Sequence, residues 1–323
     1  MNRTIVGLVS LFCLVSVGAT LRAGTDQGAF EFVFMSDLHF HIAGLPEEAL
    51  QGSAARLLQD GPGEFIITGG DYDNFPNTEK AMEQYLLQPL RERGIAYPWF
   101  AAVGNHDPEW TANNWKENND GSGRNIKDII ARNRKMEAVI TPGPGAERSS
   151  LEEYKPDGAQ WTTFSFDYSN CHLVILDFYS ARDFENRTLG QADPALVDWL
   201  EADLAATKQP LIFVFGHEPA LAFDGVAQPG ADPAPIDPAD RMDGERERFW
   251  QVLQSDERVV AYVCGHTHCY GLIRDGALWQ LCTAQEWIGL KMFVKFFVAG
   301  DSVTARVYQW SDSGYTTQDH KLR

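Results

Sequence analysis

The stretch VCGHTHCY, residues 263–270, sets His266 and His268 two positions apart directly after a glycine. Four further short stretches end in groups of the same chemistry: SDLHF with Asp37 and His39, GGD with Asp71, GNHD with Asn105, His106 and Asp107, and GHE with His217. Five of the chain's eight histidines belong to this set. A lone histidine is more often solvated or hydrogen-bonded than a ligand, but together these residues offer imidazole nitrogens and carboxylate oxygens. That mixture suits Zn²⁺, Mn²⁺ or iron, and one carboxylate can bridge two ions. Two ions about 3.5 to 4 Å apart can hold a phosphoryl oxygen and make water a nucleophile at neutral pH. Histidines at i and i+2 can reach separate ions if the chain turns at Gly265, and the Asn105 amide adds an oxygen ligand without adding charge.

Each polar group follows an apolar run: AFEFVFMSD, EFIITGGD, YPWFAAVGNHD, PLIFVFGHEP and VVAYVCGH. These runs read as buried strands. Helical patterns alternate with them at 46–60, at 78–94 with a kink expected at Pro89, at 193–209 and at 244–258. Residues 161–179 read as two strands around a turn at Ser169 and Asn170, and the region from Tyr270 to Trp310 as successive antiparallel strands. Such alternation defines an α/β protein, in which polar groups at the carboxyl ends of strands face the ligand crevice. Five such ends can meet at one site.

With 323 residues, 44% of them hydrophobic and 12% aromatic, the chain can bury a large core. A formal charge of −18 opposes non-specific binding of nucleic acid or anionic membrane. Residues 1–19 read as a removed export signal, with Arg3, an apolar run from Ile5 to Val17, and small residues before a cut after Ala19. No other stretch is apolar enough to span a bilayer, so a soluble, exported (periplasmic or secreted) mature protein is expected. Cys171, Cys264, Cys269 and Cys282 then remain, and their pairing is open. No C-x₂-C pair marks a zinc-thiolate site.

The ordered set D-x-H, GD, GNHD, GH and GHxH resembles the calcineurin-like metallophosphoesterase family from about Phe30 to at least His268. The resemblance implies a four-layer α-β-β-α sandwich of two mixed sheets flanked by helices. It also implies two metal ions (Mn, Fe or Zn), one held by Asp37, His39 and His268, the other by Asn105, His217 and His266, with Asp71 bridging. His106 takes the family's catalytic role and Asp107 is expected to orient it. The implied reaction is in-line attack of a metal-bound hydroxide on phosphorus, with His106 protonating the leaving oxygen. Two departures stand out. The family often carries a second aspartate three residues after the GD aspartate, where this chain has Asn74, with Asp73 one earlier. Purple acid phosphatases have a tyrosine there and a D-x-G first motif, so a tyrosinate-bound iron centre is disfavoured.

His41, Tyr72 and Asp73 are candidate substrate contacts, against a rim position for the first and a local turn for the others; His172 reads as structural. A single catalytic domain over 29–315 is expected, with rim inserts at 108–160 and 220–243. The stretch 108–150 holds seven Lys or Arg against six Asp or Glu. Its Trp110, Trp115, Lys116, Arg124 and Arg132 are candidates to touch an aromatic or anionic group, or to pack as an ordinary solvated helix. The expected activity is hydrolysis of a small phosphomonoester or phosphodiester. The rivals are a non-catalytic scaffold of the same fold and a nuclease, the latter disfavoured by the lack of an evident basic groove.

Overall fold

A computed structural model describes residues 29–40, 45–107, 124–136, 161–179, 190–226, 231–283, 291–311 and 314–323. The expected export signal, His41, and insert residues 108–123 and 137–160 lie outside them. The strands used below are β1 (Ala29–Met35), β2 (Phe65–Thr68), β3 (Trp99–Ala101), β4 (Phe164–Tyr168), β5 (Cys171–Ile175) and β6 (Leu211–Phe215). They continue with β7 (Val259–Cys264), β8 (Gly271–Asp275), β9 (Leu278–Cys282), β10 (Lys291–Ala299), β11 (Ser302–Ser311) and β12 (Gly314–Lys321). The longer helices are α1 (Leu45–Asp60), α2 (Phe75–Met82), α3 (Arg124–Met136), α4 (Pro194–Ala206) and α5 (Arg246–Ser255).

Two six-stranded mixed sheets form, in the orders β12-β11-β10-β1-β2-β3 and β8-β9-β7-β6-β5-β4. In the first, β1, β2 and β3 run parallel while β10, β11 and β12 are an antiparallel meander. In the second, β5, β6, β7 and β9 run parallel, flanked by antiparallel β4 and β8. The two central parallel sets carry all five polar strand ends. The expected antiparallel run after Tyr270 holds for β8-β9 and for β10-β11, but breaks between β9 and β10, which lie in different sheets, and β9 also pairs parallel with β7.

Period-two alternation decides which face of β1 goes where. Phe30, Phe32 and Phe34 enter the core between the sheets, whereas Val33 and Met35 join the cluster under the helices. Phe32 stacks on Phe296 at 4.7 Å and Phe65 at 5.2 Å within its own sheet and meets Phe213 of the other sheet edge-on at 5.2 Å. These offset and edge-on contacts are the favoured aromatic arrangements. On the outer side of the second sheet, Leu196, Leu200 and Leu204 of α4 and Phe249 and Leu253 of α5 share one cluster with Ile212, Val214 and Tyr262. Helices on both outer faces complete the four layers. Ahead of Pro89 the helix that begins with α2 widens into a π-type turn over Glu83–Leu87, which absorbs the missing N–H of proline without ending the helix.

His172 on β5 is structural. Its Nδ1 donates to Asp167 Oδ1 at 2.6 Å and its Nε2 to Asp203 Oδ2 at 2.8 Å, tying the second sheet to α4. Burial pulls this imidazole down, but the two carboxylates outweigh burial and hold it up at about 9. A group whose folded value is raised stabilises fully below its unfolded value, about 6.5, and loses that contribution as pH climbs through the folded value. Replacing His172 by Leu should therefore cost about 3–5 kcal/mol at pH 6.5, with a much smaller penalty at pH 10. Denaturant unfolding at the two pH values checks this, and an equal penalty at both would refute the ion-pair account.

Candidate metal centre

Three of the polar strand ends share a backbone device. Among the described residues, eight non-glycine residues have positive φ, and six are Asp37 (58°), His39 (45°), Asp71 (57°), Asp73 (56°), His266 (72°) and His268 (51°). Left-handed backbone costs an L-residue about 1–2 kcal/mol, and such strain concentrates where side-chain placement is functional. The three loops repeat one pattern, an αL residue at i and again at i+2, after β1, β2 and β7.

Hydrogen bonds lock these loops to one another. The first two continue the parallel ladder, with Asp37 N–H on Gly70 O at 3.1 Å and His39 N–H on Asp71 O at 2.9 Å. Across the sandwich, His266 N–H donates to Asp37 Oδ1 at 2.9 Å, while within the second sheet Gly265 N–H donates to His217 O at 2.8 Å. A Cβ at Gly265 would lie 2.2 Å from both Asp37 Oδ2 and Ser36 Oγ, so only glycine lets the loops of the two sheets meet here. At Gly104 a Cβ would lie 2.2 Å from Asp71 Oδ1.

The structure brings Asp37, His39, Asp71, Asn105, His106, His217, His266 and His268 into one cleft. Two groups of donor atoms share Asp71: Asp37, His39, Asp71 and His268 in one, Asp71, His217 and His266 in the other, the donors in each lying within 4.8 Å of one another. In the first, His39 Nε2 faces His268 Nε2 at 2.9 Å, and His268 Nε2 lies 3.4 Å from Asp37 Oδ1. In the second, His217 Nε2 is 3.2 Å from Asp71 Oδ2, and Asn105 Oδ1 sits 3.1 Å from His217 Nε2 and 3.0 Å from His266 Nδ1. The donor set fits two cations. Imidazole nitrogens and buried carboxylate oxygens converge in each group, and buried carboxylates need compensating positive charge; His217 Nδ1 donates to Gly69 O at 2.8 Å, directing Nε2 inward.

Electrostatics divides the histidines. With no cation bound, burial lowers His217, but Asp71 and Asp37 outweigh it and hold the ring up at about 10. Burial and the neighbouring charge of His217 push His266 down to about 3, leaving a neutral ring whose nitrogen is free to coordinate. Asp71 is held well below its ordinary value: burial alone would raise it, but His217, His106 and His39 prevail.

Two expectations need correction. Asp107 does not serve as the carboxylate on the His106 ring. It is fully buried, and its oxygens accept the N–H groups of Gly104 (2.8 Å), Asp71 (2.9 Å) and Tyr72 (2.8 Å), so it shapes the β2 and β3 loops instead. The carboxylate on His106 Nδ1 is Asp73, at 2.7 Å, and its other oxygen takes His39 Nδ1 at 2.7 Å. Asp73 thus joins a metal-ligand candidate to His106, the half-buried histidine of the cleft. Tyr72 is no substrate contact: it is fully buried against Phe75, with its hydroxyl 2.6 Å from Thr68 Oγ1. Arg132 pairs with Glu79 and lies over the Trp99 ring at 4.8 Å, packed on the sheet as an ordinary helix residue. All four described cysteines are free thiols.

Fold and site define a class, the metallophosphoesterase sandwich. The calcineurin-like phosphoesterase family model matches residues 30–270, and the chain belongs to that family. Among solved structures, a dimetal phosphatase from Danio rerio aligns over 91% of this chain and 98% of its own, at 14% identity and a TM-score of 0.58. The Plasmodium protein GAP50, described as the anchor in the inner membrane complex, aligns over 91% and 89%, at 12% identity and 0.54. Purple acid phosphatase PPD1 from yellow lupin (Lupinus luteus) aligns over 90% of this chain and 53% of its own, at 14% identity and 0.52. These likenesses concern the fold. No curated protein sequence matches the chain.

Because a cation held by His217 would have to displace its proton, uptake should strengthen as pH rises from 6 to 9, with proton release. Calorimetric Mn²⁺ titration in buffers of different ionisation enthalpy measures both, and a pH-independent affinity would contradict the ligand role of His217. In the same titration Asp71→Ala should abolish both binding events, since both groups share that carboxylate.

Proposed function

We propose that this protein is an exported, two-metal phosphoesterase that hydrolyses a small phosphomonoester or phosphodiester, loaded with Mn, Fe or Zn ions. The observation that carries the reading is the pair of donor groups sharing Asp71, with His106 beside them at the cleft opening. Asp37, His39, Asp71 and His268 would hold one ion and Asp71, Asn105, His217 and His266 the other. When bound, such ions supply Lewis acidity toward a phosphoryl oxygen and make water nucleophilic at neutral pH.

The chain's own residues provide the proton. The His106 ring is partly open to solvent, at 31% exposure against 25% for His268. Its Nδ1 is bonded to Asp73 Oδ1, which orients the ring in the cleft. Burial lowers the imidazole, but Asp71, Asp73 and Asp107 more than offset it and hold it up at about 9 with no cation bound. The ring is therefore an acid at neutral pH, able to protonate a leaving alkoxide. Its own N–H at the backbone donates to Asp71 Oδ1 at 2.9 Å, which places the ring next to the shared carboxylate.

Acidity of the chain, at −18 formal charges, favours a small ester over a polynucleotide. Among the described residues, no helix is long and apolar enough to cross a membrane. The non-catalytic alternative is less favoured, since every ligand-type side chain is in place. GAP50, named as an anchor, nonetheless keeps this reading in the test.

A panel of chromogenic monoesters and diesters with Mn²⁺, Fe²⁺ or Zn²⁺ tests the proposal. Tight binding of two ions with no turnover of either ester class would favour the non-catalytic reading. Replacing His106 by Ala should lower kcat by about 10²–10⁴-fold while both ions still bind. Asp73→Asn should move the alkaline limb of the pH–rate profile to lower pH, because Asp73 raises the value of His106; an unmoved limb would remove that role. For export, the secreted mature chain should begin at Thr20 on N-terminal sequencing.

A further inference from the structure

His217 is enclosed completely, and the residue after it, Glu218, is equally buried. The carboxylate of Glu218 joins two distant points of the chain on one oxygen. Its Oε1 accepts the hydroxyl of Tyr179 at 2.6 Å and the N–H of Gly190 at 2.5 Å. Its main-chain carbonyl accepts the Tyr262 hydroxyl at 2.6 Å. The other carboxyl oxygen, Oε2, has no partner among the described residues. Burying a carboxyl with one oxygen unsatisfied costs free energy, so an apolar residue here would stabilise the fold better if packing were all that counted.

The surroundings are built around this carboxyl. A Cβ on Gly190 would lie 2.7 Å from Phe178 Cβ and 3.1 Å from Glu218 Oε2, so glycine is what lets that amide approach. Tyr179 is fixed at its backbone too, where its N–H donates to Asp177 Oδ1 at 2.8 Å. The Tyr179 ring, thus held at both ends, lies 6.2 Å from the His217 ring at an interplanar angle of 60°, and the His266 ring meets His217 at 5.2 Å and 74°. His217 is therefore confined by Gly69 O at Nδ1, by His266 and by Tyr179.

We propose that Glu218 and Tyr179 are positioning residues for the second donor group. Glu218 holds the Tyr179 ring against His217 and so keeps His217 Nε2 aimed between Asp71 and Asn105. The inference rests on the reading that Asp71, Asn105, His217 and His266 hold a cation. It assigns a role to two residues outside that ligand set. Partners of this kind, one step removed from the ion, typically change metal affinity by about 10–100-fold when removed.

The test is a calorimetric Mn²⁺ titration of the metal-stripped full chain, comparing wild type with Glu218→Ala, Glu218→Gln, Tyr179→Phe, His217→Ala and, as a packing control, Leu200→Ala. His217→Ala should abolish one of two binding events and so identify it. Glu218→Ala should weaken that same event by about 10–100-fold and leave the other unchanged. Glu218→Gln should restore it, because the amide oxygen still accepts from Tyr179 and Gly190. Tyr179→Phe should weaken it by a smaller factor. Leu200→Ala should lower the unfolding temperature without selecting between the events.

Wild-type affinity for both events in Glu218→Ala, or equal weakening of both as in a merely destabilised chain, would overturn the proposal. If Glu218→Ala does not fold, unchanged affinity in Tyr179→Phe overturns it instead. Two Mn²⁺ bound by wild type without phosphoester turnover would refute the proposed function and leave this inference standing; a wild type that binds fewer than two removes its premise.

Discussion

Asp71 is the charge around which the cleft is arranged. It is buried to 1% exposure and lies 3.2 Å from His217 Nε2 and 3.8 Å from His39 Nε2, while its Oδ1 accepts the His106 N–H. A carboxylate so far from water is tolerated only with compensating positive charge and hydrogen bonds. The histidines of both sheets supply the compensation when protonated, and in the proposed function two cations would supply it when the rings are neutral. One group thereby couples both donor sets to the residue proposed to move the proton.

Holding that arrangement requires rigid strands and strained ends. The parallel sets β1-β2-β3 and β5-β6-β7-β9 point their carboxyl ends to one side, and the phenylalanine layer around Phe32 keeps the sheets from sliding past each other. A dense aromatic core resists small displacements. The αL residues at Asp37, His39, Asp71, Asp73, His266 and His268 draw on that rigidity, because cross-loop bonds such as His266 N–H to Asp37 hold them in conformations they would otherwise leave. Gly265 and Gly104 are the points of closest approach, where any side chain would strike a carboxylate.

Around the ligand candidates lies a layer of carboxyl groups with separate tasks. Asp107 shapes loops through three amides, Asp73 joins His39 to His106, and Glu218 pins Tyr179 and Gly190 beside His217. Residue type alone does not distinguish them. Asp107 adjoins His106 in sequence yet turns to the backbone, while Asp73, on another strand end, reaches the ring. The left-handed turn at Asp73 brings it there, and a reading based on proximity along the chain necessarily chose the wrong aspartate.

Much was legible in the chain. Apolar runs that stop at Asp, Asn or His predicted β1, β2, β3, β6 and β7 and the side of the sheets where the polar groups meet, because strand burial and strand ends are local properties of sequence. The ordered motifs pointed to the family. Tyr72 was not assignable, since nothing local says that the residue after Asp71 turns inward to Thr68 and Phe75. Nor was Glu218, whose partners Tyr179 and Gly190 lie 39 and 28 positions away. What the sequence by itself determined is the supply of metal-binding groups and the strands that carry them, since these follow from residue type and short-range pattern. Which carboxylate faces which imidazole was decided only by tertiary structure, because hydrogen bonding at 3 Å depends on backbone turns and on two sheets meeting across residues far apart in the chain.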